Sequence, residues 1–399
     1  MSGAPVKTGS LARRVAHALN LRVSWVRPAD PTFEHWFARA AHPEDRVCFD
    51  FEASPETAST LSSCLDVPFS SVAGRRPCDQ RLIVSRRQIV EWRSGDSRAL
   101  DEESAGLSLA LERTLQSFER HSSPWRVTGR TLSVDGRPGI VGVVNVTPDS
   151  FSDGGQFLDP ERAVARARSL VEAGADMIDI GGESTRPSAE PVPAAQQIER
   201  VLPVIERLAR QCSVPLSIDT TSSQVARAAL KAGASIINDT SALCDDPEMK
   251  DVVRTHGAGL VLMHRLGPPR TMQEAPSYQN CPAEVCRFLR DAAGRAEAAG
   301  IDPEAIVVDP GIGFGKRPQD NLALIREIGC LRSLGYPVLV GTSRKSFLGT
   351  ITRRPVGERG AATLATTALF FFLGVHWIRV HDVGESKDLI EVLRAVADA

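Results

Sequence analysis

From Gly139 onward the chain repeats one pattern: a short run of β-branched and apolar residues, then a helix-length amphipathic segment rich in Ala, Arg and Glu. The runs are Ile140 to Val146, Met177 to Ile180, Leu216 to Ile218, Ser235 to Ile237, Gly259 to Met263, Ile306 to Val308, Val338 to Val340 and His376 to Val380. Helix-length segments separate most neighbours, among them Pro160 to Ala173, Ala194 to Gln211, Ser222 to Ala232 and Asn321 to Leu334. Strand, helix and strand repeated in this way imply parallel pairing, because each crossover must bring the chain back to the same end of the sheet. Eight such units in roughly 260 residues match the ~250 of a (β/α)8 barrel. A doubly wound sheet would carry a Gly-rich first turn, which is absent. The pattern predicts an α/β protein built on a (β/α)8 TIM barrel.

Residues 1–123 have a different texture. Short strand-like runs, Val47 to Phe51, Leu82 to Val84 and Ile89 to Trp92, alternate with Pro, Ser and Arg, and a helix follows with Leu107, Leu111, Leu115 and Phe118 on one face. This predicts a small α+β N-terminal domain, whose role the sequence does not reveal. A hydrophilic break, His121-Ser122-Ser123-Pro124, precedes a hairpin from Trp125 to Pro138 that is expected to turn at Asp135-Gly136. The expected domains are 1–123 and 124–399.

Charge and cysteine usage narrow the partners. With 47 Lys+Arg against 49 Asp+Glu the chain is nearly neutral and has no basic run, so no nucleic-acid partner is expected. Eight cysteines without a CxxC pair argue against zinc and against a disulfide framework, and fit reduced thiols in a cytoplasmic compartment. The longest apolar stretch, Ala368 to Ile378, is broken by Gly374 and His376 and falls short of the ~20 residues of a spanning helix, so no membrane partner is expected. No acid precedes Asp30, while Lys7, Arg13, Arg14, Arg22 and Arg27 surround Leu11, Val15 and Leu19 at helical spacing. Such composition suits either an organellar transit segment or, the favoured reading, a first surface helix; the organellar alternative stays open.

In a barrel of this kind, catalytic groups gather where strands end and βα loops begin. Reading the closing residue of each run gives Asn145, then Gly181-Gly182-Glu183-Ser184-Thr185-Arg186, Asp219, Asn238-Asp239, Met263-His264, Asp309, Ser343-Arg344-Lys345, and Arg379 with His381. A single Asp after a strand is usually a helix cap, and a single Asn usually serves a turn. Independent capping does not account for acids, amides and cations at all eight ends together. Such a rim offers paired acceptors and donors to a flat, nitrogen-rich heterocycle, and a carboxylate facing an amino-amidine edge makes charge-assisted bidentate bonds. Arg379 and His381, two residues apart on one strand, together with Asn145 and a metal, could hold an anionic group such as pyrophosphate. The Gly-rich loop from Asp309 to Lys316 is a weak nucleotide motif and suits close backbone approach to a ligand, with Phe314 as one wall.

Together, eight segments resemble the dihydropteroate synthase family in order: Asn145 to Gly155 (NVTPDSFSDGG), Gly182 to Pro187 (GESTRP), Ser217 to Thr220 (SIDT), Ile236 to Asp239 (IIND), Leu262 to His264 (LMH) with Thr271-Met272-Gln273, Asp309 to Lys316 (DPGIGFGK), Gly341 to Phe347 (GTSRKSF) and Ile378 to Val383 (IRVHDV). The resemblance covers about residues 125–397. It implies condensation of 6-hydroxymethyl-7,8-dihydropterin diphosphate with 4-aminobenzoate to give 7,8-dihydropteroate and pyrophosphate. By the same resemblance Asp219, Asn238, Asp309 and Lys345 hold the pterin, with Met263 as an apolar neighbour. Asn145 coordinates Mg²⁺ on the diphosphate, and Arg379 and His381 clamp that diphosphate. The arylamine carboxylate lies near Ser343 and Lys345, closed over by Phe314, Pro187 and the Thr185-Arg186 loop. A homodimer is also implied; the apolar Ala361 to Leu373 helix offers a surface for it, although burial within the barrel accounts for much of that character.

Loops Val146 to Phe157 and Glu183 to Glu190 have the Ser, Gly, Asp and Pro content of a lid. The chain departs from the family pattern at Ser188, at Thr221-Ser222, and at Arg265-Leu266-Gly267, which is expected to add a cation near the pterin end. Rival readings are a methyltetrahydrofolate-binding methyltransferase barrel, the same chemistry with a ribosylated arylamine, and an idle scaffold. The SRK and RVH elements disfavour the first, retention of every expected polar contact disfavours the third, and the second stays open.

Overall fold

The computed structural model describes residues 15, 17–24, 46–54, 57–59, 69–71, 79–85, 102–120, 124–134, 136–147, 160–183 and 191–399. Two units are present, Met1–Arg120 with Gly329–Gly335, and His121–Ile328 with Tyr336–Ala399. In the first, strands β1 (Arg22–Ser24), β2 (Arg46–Glu52), β3 (Phe69–Ser71) and β4 (Asp79–Ser85) form an antiparallel sheet in the order β1-β2-β4-β3. Phe49 pairs with Leu82 across β2 and β4, which puts Phe49, Phe51, Leu82 and Val84 on one face. Helix α1 (Glu102–Glu119) buries Leu107, Leu111, Leu115 and Phe118 in the same core. Val15 and Leu19, from the stretch with transit-like composition, also pack there, so these two residues serve the fold. Leu11 and the run Ile89 to Trp92 lie outside the described residues.

The second unit opens with a hairpin, β5 (Trp125–Val127) and β6 (Arg130–Leu132). Its turn is at Thr128-Gly129 rather than at the predicted Asp135-Gly136. Val127 pairs with Arg130, so the two-residue turn between them needs a positive φ, and Gly129 supplies one at +74°. Gly136, at φ +71°, instead sits in the bend leading to the barrel.

Eight parallel strands follow: β7 (Gly139–Asn145), β8 (Met177–Gly181), β9 (Leu216–Asp219), β10 (Ile236–Asp239), β11 (Gly259–Met263), β12 (Ile306–Asp309), β13 (Leu339–Val340) and β14 (Trp377–Val380). They pair in sequence, β14 pairs with β7, and a Val308–Val338 bridge joins β12 to the β13 side. The sheet therefore closes into the predicted (β/α)8 barrel. Around it lie α2 (Pro160–Glu172), α3 (Ala194–Gln211), α4 (Ser223–Ala232), α5 (Met249–His256), α6 (Cys281–Ala298), α7 (Pro318–Arg326), α8 (Ser346–Thr352), α9 (Gly360–Phe372) and α10 (Val383–Ala397). The single helix expected over Asn321 to Leu334 is instead α7 and a separate 3-10 segment, Ile328–Leu334, with the poor helix former Gly329 in its first turn.

Trp125 and Val127 plug the N-terminal end of the barrel, packing with Val141, Met177, Ile236, Val261, Val307, Leu339 and Trp377. Trp125 is fully buried, donates through Nε1 to the Ala305 carbonyl at 2.9 Å, and meets Trp377 edge-on at 5.6 Å between centroids. The β7 backbone must pass tightly under Trp377, since a Cβ on Gly139 would lie 2.4 Å from that ring. No helix among the described residues is long and apolar enough to cross a membrane.

Candidate active site

At the opposite end of the barrel, strand after strand closes on a buried polar side chain: Asp219, Asn238 and Asp309 all sit at strand ends with under a tenth of their surface exposed. Both faces of a parallel barrel strand are covered, so these groups need partners within the protein. Arg379 supplies two. Its Nε donates to Asp179 Oδ2 at 2.7 Å and its Nη2 to Asp219 Oδ2 at 2.9 Å, so one guanidinium joins β14 to β8 and β9. Asn238 Nδ2 donates to the same Asp179 oxygen at 3.0 Å. Asp179 Oδ1 and Asn238 Oδ1 are buried and have no partner in the protein. Two acceptors therefore stay open beside a carboxylate pair.

Asp179 is the residue that strand-end reading passed over. It lies inside the run Met177 to Ile180, at the same parity as Met177, which packs in the barrel core. An acid at that parity within an otherwise apolar run was the available signal. Asp239, by contrast, is structural: its carboxylate accepts from Ser241 N at 2.8 Å, Ser241 Oγ at 2.7 Å and Leu243 N at 2.8 Å, fixing the turn after β10.

A second group surrounds Lys345. Its ammonium donates to the Ile312 carbonyl and lies 4.4 Å from the centroid of the Phe314 ring. Lys345 follows Arg344, which holds φ +59° while binding Asp382 through Nε at 3.0 Å and Nη2 at 2.6 Å. That fork stabilises a backbone conformation that is unfavourable for a non-glycine residue. Asp309 accepts from Gly311 N at 2.7 Å, and Met263, on the neighbouring strand, is buried. Asn145 ends β7 half-buried, with its Oδ1 close to the Gly181 backbone. His381 is bound to Ser343, whose Oγ accepts from His381 N at 3.2 Å and lies 3.0 Å from Nδ1.

Burial sets the electrostatics. It raises the Asp219 carboxyl to about 7, against the opposing pull of Arg379, and Asp179 adds to the rise. Asp309 is raised by burial against the pull of Lys345. Lys345 is lowered to about 8, chiefly by burial, with Asp309 opposing. His381 falls to about 4, through burial and then the nearby Arg379, Arg344 and Arg166. The rim thus brings together an acid and a base that titrate near neutrality and a neutral imidazole among guanidinium groups.

Asn145, Asp219, Asn238, Met263, Asp309, Phe314, Ser343, Lys345, Arg379 and His381 all lie at this rim or on the loops that leave it. Thr185 and Arg186 lie outside the described residues, as does most of the expected lid. The cation expected from Arg265 is already compensated, since its Nη2 binds Asp245 Oδ1 at 2.5 Å.

Residues 141–381 match the family model described as pterin binding enzyme. The chain is 43% identical over 284 residues to the dihydropteroate synthase of Synechocystis, spanning 71% of this chain and 98% of that protein. It also superposes on the Xanthomonas albilineans dihydropteroate synthase solved with 4-aminobenzoic acid, with a TM-score of 0.66 and 46% identity over 70% of this chain and 99% of that one. Against a dihydropteroate synthase from the same organism in complex with 7,8-dihydropteroate, the TM-score is 0.62 and the identity 43%, over 69% of this chain and 99% of that one. Barrel and rim together define a pterin-binding (β/α)8 enzyme. Within that class, the chain belongs to the dihydropteroate synthase family.

Proposed function

We propose that this enzyme serves folate biosynthesis, joining 6-hydroxymethyl-7,8-dihydropterin diphosphate to 4-aminobenzoate to form 7,8-dihydropteroate and pyrophosphate. The observation that carries the reading is the pair of open buried acceptors, Asp179 Oδ1 and Asn238 Oδ1, beside Asp219 and Arg379. An apolar ligand would leave them unpaired, whereas the amino-amidine edge of a pterin supplies donors. The relative solved with 4-aminobenzoic acid supports that acceptor over a ribosylated arylamine.

In this reading Asp219, Asn238 and Asp309 bind the pterin edge, Met263 packs on the ring, and Lys345 bonds to the ring from the opposite side. Arg379 and His381 face the diphosphate, with His381 oriented by Ser343. As C–O cleavage shifts charge onto the leaving group, Arg379 stabilises it, and the carboxylates beside the ring tolerate cationic character on the methylene. The substitution is dissociative. The arylamine is a neutral nucleophile and needs positioning rather than a base, which Phe314, Ser343 and the Thr185-Arg186 loop provide. Closure of the two lid loops excludes the water that would compete for the methylene.

Asn145 offers one neutral oxygen, a donor suited to a hard cation that keeps waters and phosphate oxygens as its other ligands. Among the described residues no group of three or more His, Cys, Asp or Glu converges, which fits an ion that arrives with the diphosphate. Mg²⁺ held there would neutralise leaving-group charge. The enzyme acts in the cytoplasm as a homodimer, for which α9, with its half-buried Phe371, is a candidate face.

Calorimetric titration tests the site map. Pterin diphosphate with Mg²⁺ should bind the native protein, and Asp219→Ala or Lys345→Ala should abolish binding; near-native affinity in both would refute it. The same titration with a chain beginning at Ser123 tests whether residues 124–399 form a self-sufficient catalytic domain.

A further inference from the structure

The loop that receives Lys345 has little rigidity of its own. Gly311, Gly313 and Gly315 hold φ of +62°, +85° and +62°, and such glycines give up the most conformational freedom on folding. Close packing explains why side chains are absent there: a Cβ on Gly311 would lie 1.9 Å from the His264 carbonyl, and one on Gly315 would lie 2.6 Å from that of Leu266. The loop must therefore be pinned from outside. Its buried pin is Lys316, whose hydrogen bonds go to this loop and to His264 rather than to the site carboxylates. Its Nζ lies 2.8 Å from His264 Nδ1, 2.9 Å from the Gly311 carbonyl and 3.0 Å from the Phe314 carbonyl.

Those two carbonyls bracket Ile312 and Phe314, the residues that Lys345 touches. An ammonium has three N–H donors, and four acceptors surround this one: the three above and, at 3.4 Å, the His264 carbonyl. While Lys316 is charged it has no lone pair, so His264 Nδ1 is the acceptor and the ring proton sits on Nε2. The ring itself is fixed edge-on against Phe288 at 4.8 Å. Tyr278 adds a bond from its hydroxyl to the Gly315 carbonyl at 2.9 Å, and Asn321 Oδ1 accepts from Gly313 N at 2.7 Å.

We infer that Lys316 is a positioning residue of the reaction: its ammonium joins His264 to both ends of the Gly311–Phe314 turn and thereby sets the carbonyl and ring that hold Lys345. The inference rests on the reading of this rim as the pterin and arylamine site. It also carries a dependence on pH, because an amine that loses its proton keeps only two N–H donors for these acceptors and holds His264 Nδ1 only if the imidazole moves its own proton onto that nitrogen. The charged and titratable groups facing Lys316 are His264 from the end of β11, Asp309 from β12, Cys281 and Asp320 from α6 and α7, and Lys345. Burial lowers Lys316 to about 7, with Lys345 also lowering it and Cys281, Asp309 and Asp320 opposing, so the proton is lost within the working range.

The test is kcat/KM of the native enzyme and of Lys316→Met from pH 6 to pH 9, with thermal unfolding of both. Turnover by the native protein tests the function; the ratio of the two proteins tests the inference, because ionisations they share cancel in it. At pH 6 the variant should be lower by about tenfold to a hundredfold, the scale of a displaced catalytic group. The deficit should shrink toward alkaline pH as the native lysine loses its third N–H donor. A ratio near one at pH 6, or one constant across the range, overturns the inference. Should Lys316→Met fail to fold, His264→Asn and His264→Leu decide: Asn keeps an acceptor at the Nδ1 position and should retain most activity, Leu should not, and equal activity in the two refutes the role.

Discussion

Toward the N-terminal ends of the barrel strands, Trp125, Val127, Met177, Ile236 and Trp377 make an apolar plug. At the C-terminal ends of the same strands Asp179, Asp219, Asn238 and Asp309 are buried against Arg379 and Lys345. The plug gains from removing hydrocarbon from water; Trp125 Nε1 is satisfied, and the buried Trp377 Nε1 is its single unpaired polar side-chain atom. The rim buries carboxylates, leaves two acceptors open and shifts ionisations toward neutrality, all of which work against folding. One end of the barrel supports the fold so that the other can remain polar, pre-arranged and incompletely satisfied until substrate binds.

Substitutions can separate the two ends. Lys345→Ala should reduce kcat/KM by about a thousandfold or more, as loss of a charge that contacts the reacting ligand does, with the melting temperature nearly unchanged. Arg379→Met should abolish turnover and also destabilise by about 3–5 kcal/mol in denaturant titrations, since it strands Asp179 and Asp219 without a counter-charge. Trp125→Ala should lower stability by about 3–5 kcal/mol while leaving kcat/KM of the folded fraction within about twofold of native. An activity loss matching that of Lys345→Ala would show that the plug shapes the rim and would break the comparison.

The pH response should also belong to the rim. Burial raises Asp219 to about 7, so its folded form holds the proton more tightly than the unfolded chain does. The stability this adds is fully present below the unfolded pKa and is lost as pH rises through about 7. Substrate binding needs the carboxylate, so kcat/KM should decline as pH falls below about 7, and it should decline on the alkaline side as Lys316 and then, above about 8, Lys345 lose their protons. A rate profile flat from pH 5 to 9 would contradict this. The smallest effect is expected from Arg265→Ala, which removes a pair with Asp245: under about 1 kcal/mol of stability and no measurable change in kcat/KM.

Much of this arrangement is legible in the sequence for one reason. Parallel barrel strands are apolar on both faces, so a polar residue closing a run stands out, as Asp219, Asn238 and Asp309 do, and a cation inside one, Arg379, stands out by its charge. The same rule hides Asp179, which lies within a run rather than at its end, and it does not separate Asn238, which faces the barrel interior, from Asp239, which fixes a turn. Pairings between distant strands, such as Arg379 with two carboxylates from β8 and β9, follow from closure of the sheet and have no local signature. The Asp135-Gly136 dipeptide carried a stronger turn signal than Thr128-Gly129, but burial of Trp125 and Val127 in the plug sets the hairpin register. Lys316 was visible as the end of a glycine-rich motif, whereas its acceptors come from two loops that only the fold brings together.

The central claim, that this rim carries out pterin transfer to an arylamine, is tested most directly by pyrophosphate release from the purified full-length protein supplied with 6-hydroxymethyl-7,8-dihydropterin diphosphate, Mg²⁺ and 4-aminobenzoate. The account predicts that pyrophosphate and 7,8-dihydropteroate appear in equal amounts, and that Lys345→Ala yields neither. Folded native protein that releases no pyrophosphate above background would contradict it.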